Sequence, residues 1–209
     1  MNTQTYRRAA VAVTAAVLLP LGLTACSAEA SGDGASAPAA ASSKPTTTAA
    51  TADGPFGPGC ASVPKEGAGS FDGMAKDPVA TAASNNPELS TLVTAVKQAG
   101  LVDTLNNAEN ITVFAPTNAA FAKIPKADLD KVLADKAMLT DILTYHVVGQ
   151  KLTPQQLENG SFETLQKSRL TTQGSGESFT VNDSAKVVCG NVPTANATVY
   201  IIDTVLMPK

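Results

Sequence analysis

His146 is the only histidine in the chain, so imidazole chemistry has to be built on it or on nothing. A hydrolytic triad needs a nucleophile and an orienting acid beside such a base. The sequence has no GxSxG elbow, and Asp141, five residues upstream on the same predicted helix, points elsewhere. The simplest role for His146 is a buried imidazole that donates to backbone where an apolar helix runs into Val147-Val148; ligand contact and catalysis are the competing roles. Tyr145 beside it reads as a core aromatic whose hydroxyl reaches a polar partner. Asp128, Asp130, Asp135 and Asp141 alternate with Lys126, Lys131 and Lys136, which is the pattern of a solvated helical face rather than a metal cluster. No calcium-loop spacing, CxxC pair or histidine cluster occurs, so no metal and no cofactor are expected.

The three cysteines divide by context. Arg7-Arg8 and the apolar run that follows make residues 1–25 a secretory leader, and Pro20 and the shortness of the run argue against a permanent span. The run ends in Leu23-Thr24-Ala25-Cys26, which looks like a bacterial lipobox, with small residues for the peptidase and a thiol to take a diacylglyceryl group. Cys26 is therefore expected to be lipidated and to hold the chain at the extracytoplasmic face of a membrane; ordinary secretion or shedding is the alternative. Cys60 and Cys189 remain, near the two ends of the folded part and in an oxidising compartment. A bridge between them closes a loop for which chain entropy gives about 5 kcal/mol.

Residues 26–55 form the next region. From Ser27 to Pro55 no Val, Ile, Leu, Met, Phe, Trp or Tyr occurs, so the stretch cannot bury enough apolar surface to offset its ordering entropy and is expected to be a disordered tether. As a coil it reaches about 30 Å. Ser36, Ser42, Ser43 and Thr46 to Thr48, beside Pro38 and Pro45, have two readings, acceptors of O-linked sugars or bare spacer. The formal charge is −3, and removing the two leader arginines makes it −5 (−3 − 2). With aromatics at 4 % and no tryptophan, nucleic acid is excluded as a partner class.

The elements that must position His146 and the cysteines follow from periodicity. Leu89, Leu92, Val93 and Val96 share one helical face, opened by Asn86-Pro87 and closed by Gly100. Ile111-Thr112-Val113-Phe114 is a β-branched apolar run stopped by Pro116, with Thr117 placed to cap a short helix through Ala119 and Ala120 to Phe121. A helical pair follows over 128–133 and 138–145, with Leu129, Val132, Leu133, Leu139, Ile142 and Leu143 toward the core. Short strands come next at 162–165, 169–172, 178–181, 185–188 and 198–207, with turns at 174–176 and 182–183. Helices first and strands second give an α+β class with a mainly antiparallel sheet, in a single domain.

Three strings taken together, TVFAPTNAAF at 112–121, YHVV at 145–148 and ATVYIIDTVLMP at 197–208, resemble the two signature boxes and the closing strand of the fasciclin domain. The resemblance covers about 150 of the 209 residues. It implies a wedge of seven strands packed with several helices over residues 56–209. Within that family the chain is most similar to small mycobacterial members, one secreted and one a lipoprotein. The shared stretches are 57–60, 77–80, 84–89, 143–148, 187–190 and 194–198. The resemblance therefore implies an actinobacterial cell-surface lipoprotein, and the two folded-part cysteines coincide with that subgroup's bridge.

On this likeness Thr112, Phe114, Ala115, Pro116, Thr117, Asn118, Phe121, Tyr145 and His146 are signature residues, mainly structural, with Asn118 and Lys123 as exposed candidates for partner contact. Animal members bind integrins through an Asp-Ile pair before the last strand; here that segment is Asn191-Val192-Pro193-Thr194, and integrin binding does not carry over. The expected function is a non-catalytic adhesion or interaction module with an unknown protein, glycan or lipid ligand. A carrier of a small hydrophobic ligand, held in a cleft between helices and sheet, is the alternative, and a hydrolase is the weakest reading. Sequons begin at Asn110, Asn159, Asn182 and Asn196 and imply no glycan in a bacterial lipoprotein.

Overall fold

Proline, asparagine and glycine punctuate the first half into short helices. A computed structural model describes residues 54–208. The leader, Cys26 and the tether as far as residue 53 lie outside the described residues, as does Lys209. After a 3-10 turn at Pro58–Ser62 come α1 (Phe71–Met74) and α2 (Val79–Ser84). Asn86 then caps a 3-10 turn at Pro87–Leu89, its side chain accepting from the Glu88 N–H, and the turn runs into α3 (Ser90–Ala99). Gly100 ends α3 in the left-handed region at φ 75°, where a side chain would be strained. Next is α4 (Val102–Asn107).

β1 (Ile111–Pro116) leads into α5 (Asn118–Ala122), α6 (Lys126–Ala134) and α7 (Lys136–Tyr145). Directly after α7 the chain enters β2 (Val147–Val148), then α8 (Pro154–Leu157). The remainder is strand: β3 (Asn159–Glu163), β4 (Arg169–Ser175), β5 (Ser178–Val181), β6 (Ala185–Pro193) and β7 (Ala197–Ile202).

These seven strands form one sheet in the order β2-β1-β7-β6-β5-β4-β3. All neighbours are antiparallel except β1 and β7, which run parallel from Ile111↔Ala197 to Pro116↔Ile202. The α+β, seven-stranded, mainly antiparallel expectation holds, with this one parallel pair in the middle. At the two ends Val148 bridges to Thr164, and the Leu165 N–H donates to the Val147 carbonyl at 2.8 Å. The sheet therefore curls until it nearly closes.

Curling gives β1 and β7 two buried faces, so every residue of both strands is buried. Ile111, Val113, Ala115, Ala197, Val199 and Ile201 meet the helices in one core. Phe114, Tyr200 and Ile202 face the inside of the curled sheet, where they meet Phe56, Phe162, Phe179 and Tyr145.

Two expectations are corrected here. The last strand stops at Ile202 rather than 207: Asp203 still donates its N–H to the Lys186 carbonyl at 3.0 Å, but its carboxylate takes the Lys186 N–H at 2.8 Å, and the ladder ends there. The apolar residues of α6 are only partly buried, since that helix lies over the core from outside.

Candidate functional site

α7 and β2 place Tyr145 and His146 at the joint between the two cores. His146 is 2 % exposed. Its Nδ1 donates to the Ile142 carbonyl at 2.7 Å, and its Nε2 accepts from the Leu206 N–H at 3.0 Å. These two partners require the neutral tautomer with hydrogen on Nδ1. Burial pushes its pKa down from 6.5 to about 4, against a smaller upward pull from the Ile142 carbonyl. The backbone is committed as well, the His146 carbonyl accepting from the Phe114 N–H at 2.9 Å. His146 thus joins α7, β1 and the tail after β7, and neither ring nitrogen is free to take a substrate proton.

The Tyr145 hydroxyl donates to the Arg169 carbonyl at 3.0 Å and accepts from the Asn182 amide at 2.8 Å. Thr112, fully buried, donates to the Gln150 carbonyl and accepts from the Leu152 N–H, both at 2.8 Å, which ties the loop after β2 to β1. Phe114 stacks on Tyr200 at 5.8 Å between centroids. Ala115 lies in the helix-side core, and Pro116 ends β1 opposite Ile202. Thr117 caps α5 through its side chain, accepting from the Ala120 N–H at 3.1 Å, and Phe121 is buried one turn on. The signature residues are gathered around one strand-to-helix corner, and their polar atoms face inward.

Asn118 and Lys123, the two positions expected to face a partner, differ from one another. The Asn118 amide oxygen accepts from the Thr91 N–H at 2.9 Å and the Ser90 hydroxyl at 3.2 Å, while its nitrogen donates to the Pro87 carbonyl at 2.8 Å. It is a clamp on the start of α3 and only partly exposed, so it does not offer a free side chain. Lys123 is exposed, and its ammonium bonds Asp203 at 3.1 Å and the Thr204 hydroxyl at 3.2 Å. Burial raises the Asp203 pKa, but the Lys186 N–H, Lys123 and the Thr204 hydroxyl together outweigh it and hold the carboxyl below its ordinary value.

Cys60 and Cys189 are disulfide-bonded, with Cα atoms 4.8 Å apart. The bond staples the segment at the start of the described chain to β6, where Phe56 and Gly190 exchange backbone hydrogen bonds at 3.1 and 2.8 Å. A Cβ at residue 190 would run into the Phe56 ring, so only glycine fits beneath it.

Sequence reasoning missed Asn196. Its oxygen accepts from the Val79 N–H at 2.8 Å, and its nitrogen donates to the carbonyls of Leu105, Asn106 and Ala108. One half-buried side chain thus fixes the start of α2 and the end of α4 against β7. Its only signal in the sequence is a polar residue directly before a strand that is apolar but for Thr198.

Among the described residues no group of three or more His, Cys, Asp or Glu is placed to hold a metal ion, and no helix is long and apolar enough to cross a membrane. Two apolar cavities flank His146, one under α2 to α4 and one under α6 and α7.

The fasciclin domain profile matches residues 87–208. The chain belongs to the fasciclin-domain family. It is 46 % identical to the cell surface glycolipoprotein MPT83 of Mycobacterium tuberculosis over 219 aligned positions, covering 100 % of this chain and 98 % of that one. The immunogenic protein MPT70 of the same organism is 51 % identical over 160 positions, 73 % of this chain and 81 % of its own. A FAS1 domain pair from the insect cell adhesion molecule Fasciclin I superposes with a TM-score of 0.53 at 19 % identity, covering 65 % of this chain and 52 % of that one. That distant match supports the fasciclin fold alone. The likeness to MPT83 extends over the whole chain and sets this fasciclin chain with the lipid-anchored, extracytoplasmic surface members.

Proposed function

We propose that this fasciclin-domain chain is a non-catalytic adhesion or interaction module, held at the membrane by lipid on Cys26 and lifted from it by the tether over 26–55. The observation that carries the reading is that the chemistry-bearing side chains of the signature boxes are committed to the fold, which leaves recognition to the outer surface. His146 has both nitrogens bonded to backbone and is held neutral. A base in that state has no route to a substrate. The naming of relatives as cell surface glycolipoproteins supports surface display and sugars on tether hydroxyls among Ser36, Ser42, Ser43 and Thr46 to Thr48.

Lys123, exposed beside Asp203 and Thr204 at the rim of the signature corner, is the proposed contact point. The test displays the full chain on cells and measures retention on immobilised matrix proteins, envelope glycans and lipid films. Saturable retention on one of these classes, abolished when Cys26→Ser prevents anchoring and weakened by Lys123→Glu, is the expected result. A His146→Ala chain that keeps its stability yet loses a measurable turnover would overturn the non-catalytic reading.

A further inference from the structure

The larger of the two cavities is a seam bounded by α2, α3 and α4 on one side and by β1 and β7 on the other. Its walls are Val79, Ala82, Leu92, Val96, Val113 and Val199 with similar neighbours, and it contains no charged residue. As the protein stands its volume is only about 40 Å³. It is a narrow slot that must widen to be filled.

Four polar side chains reach it, and three are already satisfied. The Ser84 hydroxyl donates to the Ala80 carbonyl, the Thr194 hydroxyl bonds both backbone groups of Ala197, and His146 has both nitrogens in use. The fourth is Asn86, 1 % exposed, whose oxygen caps the Glu88 N–H but whose Nδ2 has no partner among the described residues. An unpaired buried donor is costly, so it marks a place where an acceptor is missing. Water answers poorly, because a buried water needs two to four polar partners and this wall offers one. An anion answers poorly too, since no cation lines the seam to pair with it.

The way the seam is closed points in the same direction. α2 is pinned at its start, where the Val79 N–H donates to Asn196 at 2.8 Å and the Ala80 N–H to Asn106 at 3.0 Å. Its far end presents Ala82 and Ala83 to the seam, and the Ser84 hydroxyl bonds only within the helix. Among the described residues α2 is thus tied to other elements at its start and, through Asn106 to Thr81, at its middle, while its last turn carries no side-chain bond to another element.

We propose that this seam binds one neutral acyl chain, whose ester or hydroxyl oxygen accepts the Asn86 Nδ2 hydrogen bond, and that α2 tilts about its pinned start to admit it. The inference goes beyond the interaction-module reading and does not rest on it. A free acyl glyceride of the membrane supplies this chemistry.

The experiment uses the full chain in membrane vesicles with a monoacylglycerol that carries a photoreactive diazirine in its acyl chain. After irradiation, crosslinked peptides are mapped by mass spectrometry. Label concentrated in residues 79–102 and displaced by unlabelled monoacylglycerol is the expected result. Asn86→Asp keeps the oxygen that caps Glu88 and removes the donor, so labelling should fall roughly tenfold, the worth of one buried hydrogen bond. Val93→Phe narrows the seam from its half-buried rim and should lower labelling as well; it decides the matter alone if Asn86→Asp lowers the melting temperature. Label spread without preference for residues 79–102, or left unchanged by both variants, overturns the proposal.

Discussion

The two faces of β1 and β7 are finished by different means. Inside the curled sheet the space is filled by rings, with Phe56 edge-on to Phe179 at 5.5 Å and to Tyr200 at 6.4 Å, and Phe114 stacked on Tyr200. The Tyr200 hydroxyl is bonded to the Leu152 carbonyl at 3.0 Å, and burial pushes its pKa far above the ordinary value. On the helix side the fill includes Ala80, Ala82, Ala95, Ala115, Ala120 and Ala197, carried by several short helices. Rings in contact lock one arrangement, whereas small residues on short helices leave slack; among the described residues a buried polar atom without a partner occurs on each side, Asn86 Nδ2 by the helices and Thr172 Oγ1 on β4. The sheet interior is therefore the rigid half of this fasciclin domain, and the helix side is the half able to change.

The largest test of that contrast is the disulfide. Cys60–Cys189 packs at the edge of the helix-side core, yet through the backbone it holds Phe56 over Gly190 as the cover of the ring-filled interior. Reduction, or Cys189→Ala, should lower stability by up to about 5 kcal/mol through the entropy of the opened loop. Amide exchange should quicken first at Phe56 and Gly190, with α3 keeping its protection. An unchanged melting temperature under reductant, or equal loss of protection on both sides, would remove the distinction between the halves.

His146 sits where the halves meet, and its titration should strike both. The folded value of about 4 lies below the unfolded 6.5, so the unfolded chain takes up the proton first as pH falls. Stability is complete above pH 6.5, declines between 6.5 and 4, and is flat in this contribution below 4. The full span amounts to about 3 kcal/mol. The two cavities beside the ring are lined by no other ionisable side chain that offsets the charge. Comparing denaturant midpoints of wild type and His146→Ala across this range isolates the effect from the carboxylates. The variant should lose roughly 1 to 3 kcal/mol at pH 7 and show a shallower decline. Parallel pH profiles for the two proteins would sink the assignment.

Much of this was legible because it is written locally. The corner at 112–121 declares itself through β-branched residues, Pro116 and the Thr117 cap, and the turns at 174–176 and 182–183 do so through glycine and asparagine with positive φ. The buried place of His146 followed from its position between an apolar helix and two valines. What stayed hidden depends on partners far along the chain. Asn196 bonds a backbone group 117 residues away, and Asn118 reaches back about thirty residues to the start of α3. A polar side chain carries no mark in sequence of which distant backbone group it will meet. The parallel pairing of β1 with β7 and the closure at Val148 and Thr164 are hidden for the same reason.

Asn118 gives the next prediction in size. Asn118→Ala removes the acceptor that caps α3 at Thr91 and the donor to Pro87, so stability should fall by about 1 kcal/mol. The loss belongs to the helix side, and hydrogen exchange should show it as faster exchange in α3 with the β4–β5 amides unaffected. No change in α3 exchange would mean that the clamp is redundant.

Lys123 is expected to show the smallest effect on stability and the clearest on binding. Its ammonium is about half exposed and pairs with Asp203 near the surface, a geometry worth less than about 1 kcal/mol because solvent screens the attraction and side-chain entropy opposes it. Asp203 keeps its bond from the Lys186 N–H when the lysine is removed, so the end of β7 should stay in place. Lys123→Ala should thus leave the melting temperature almost unchanged, unlike Asn118→Ala, whose side chain is tied to α3. If the rim of the signature corner is the contact surface, the same substitution should weaken partner retention severalfold and flatten its dependence on salt, since one charge has left the interface. Retention that is indifferent to Lys123→Ala but lost with the α3 clamp would move the contact surface from the corner to the helix side, the half that can change shape.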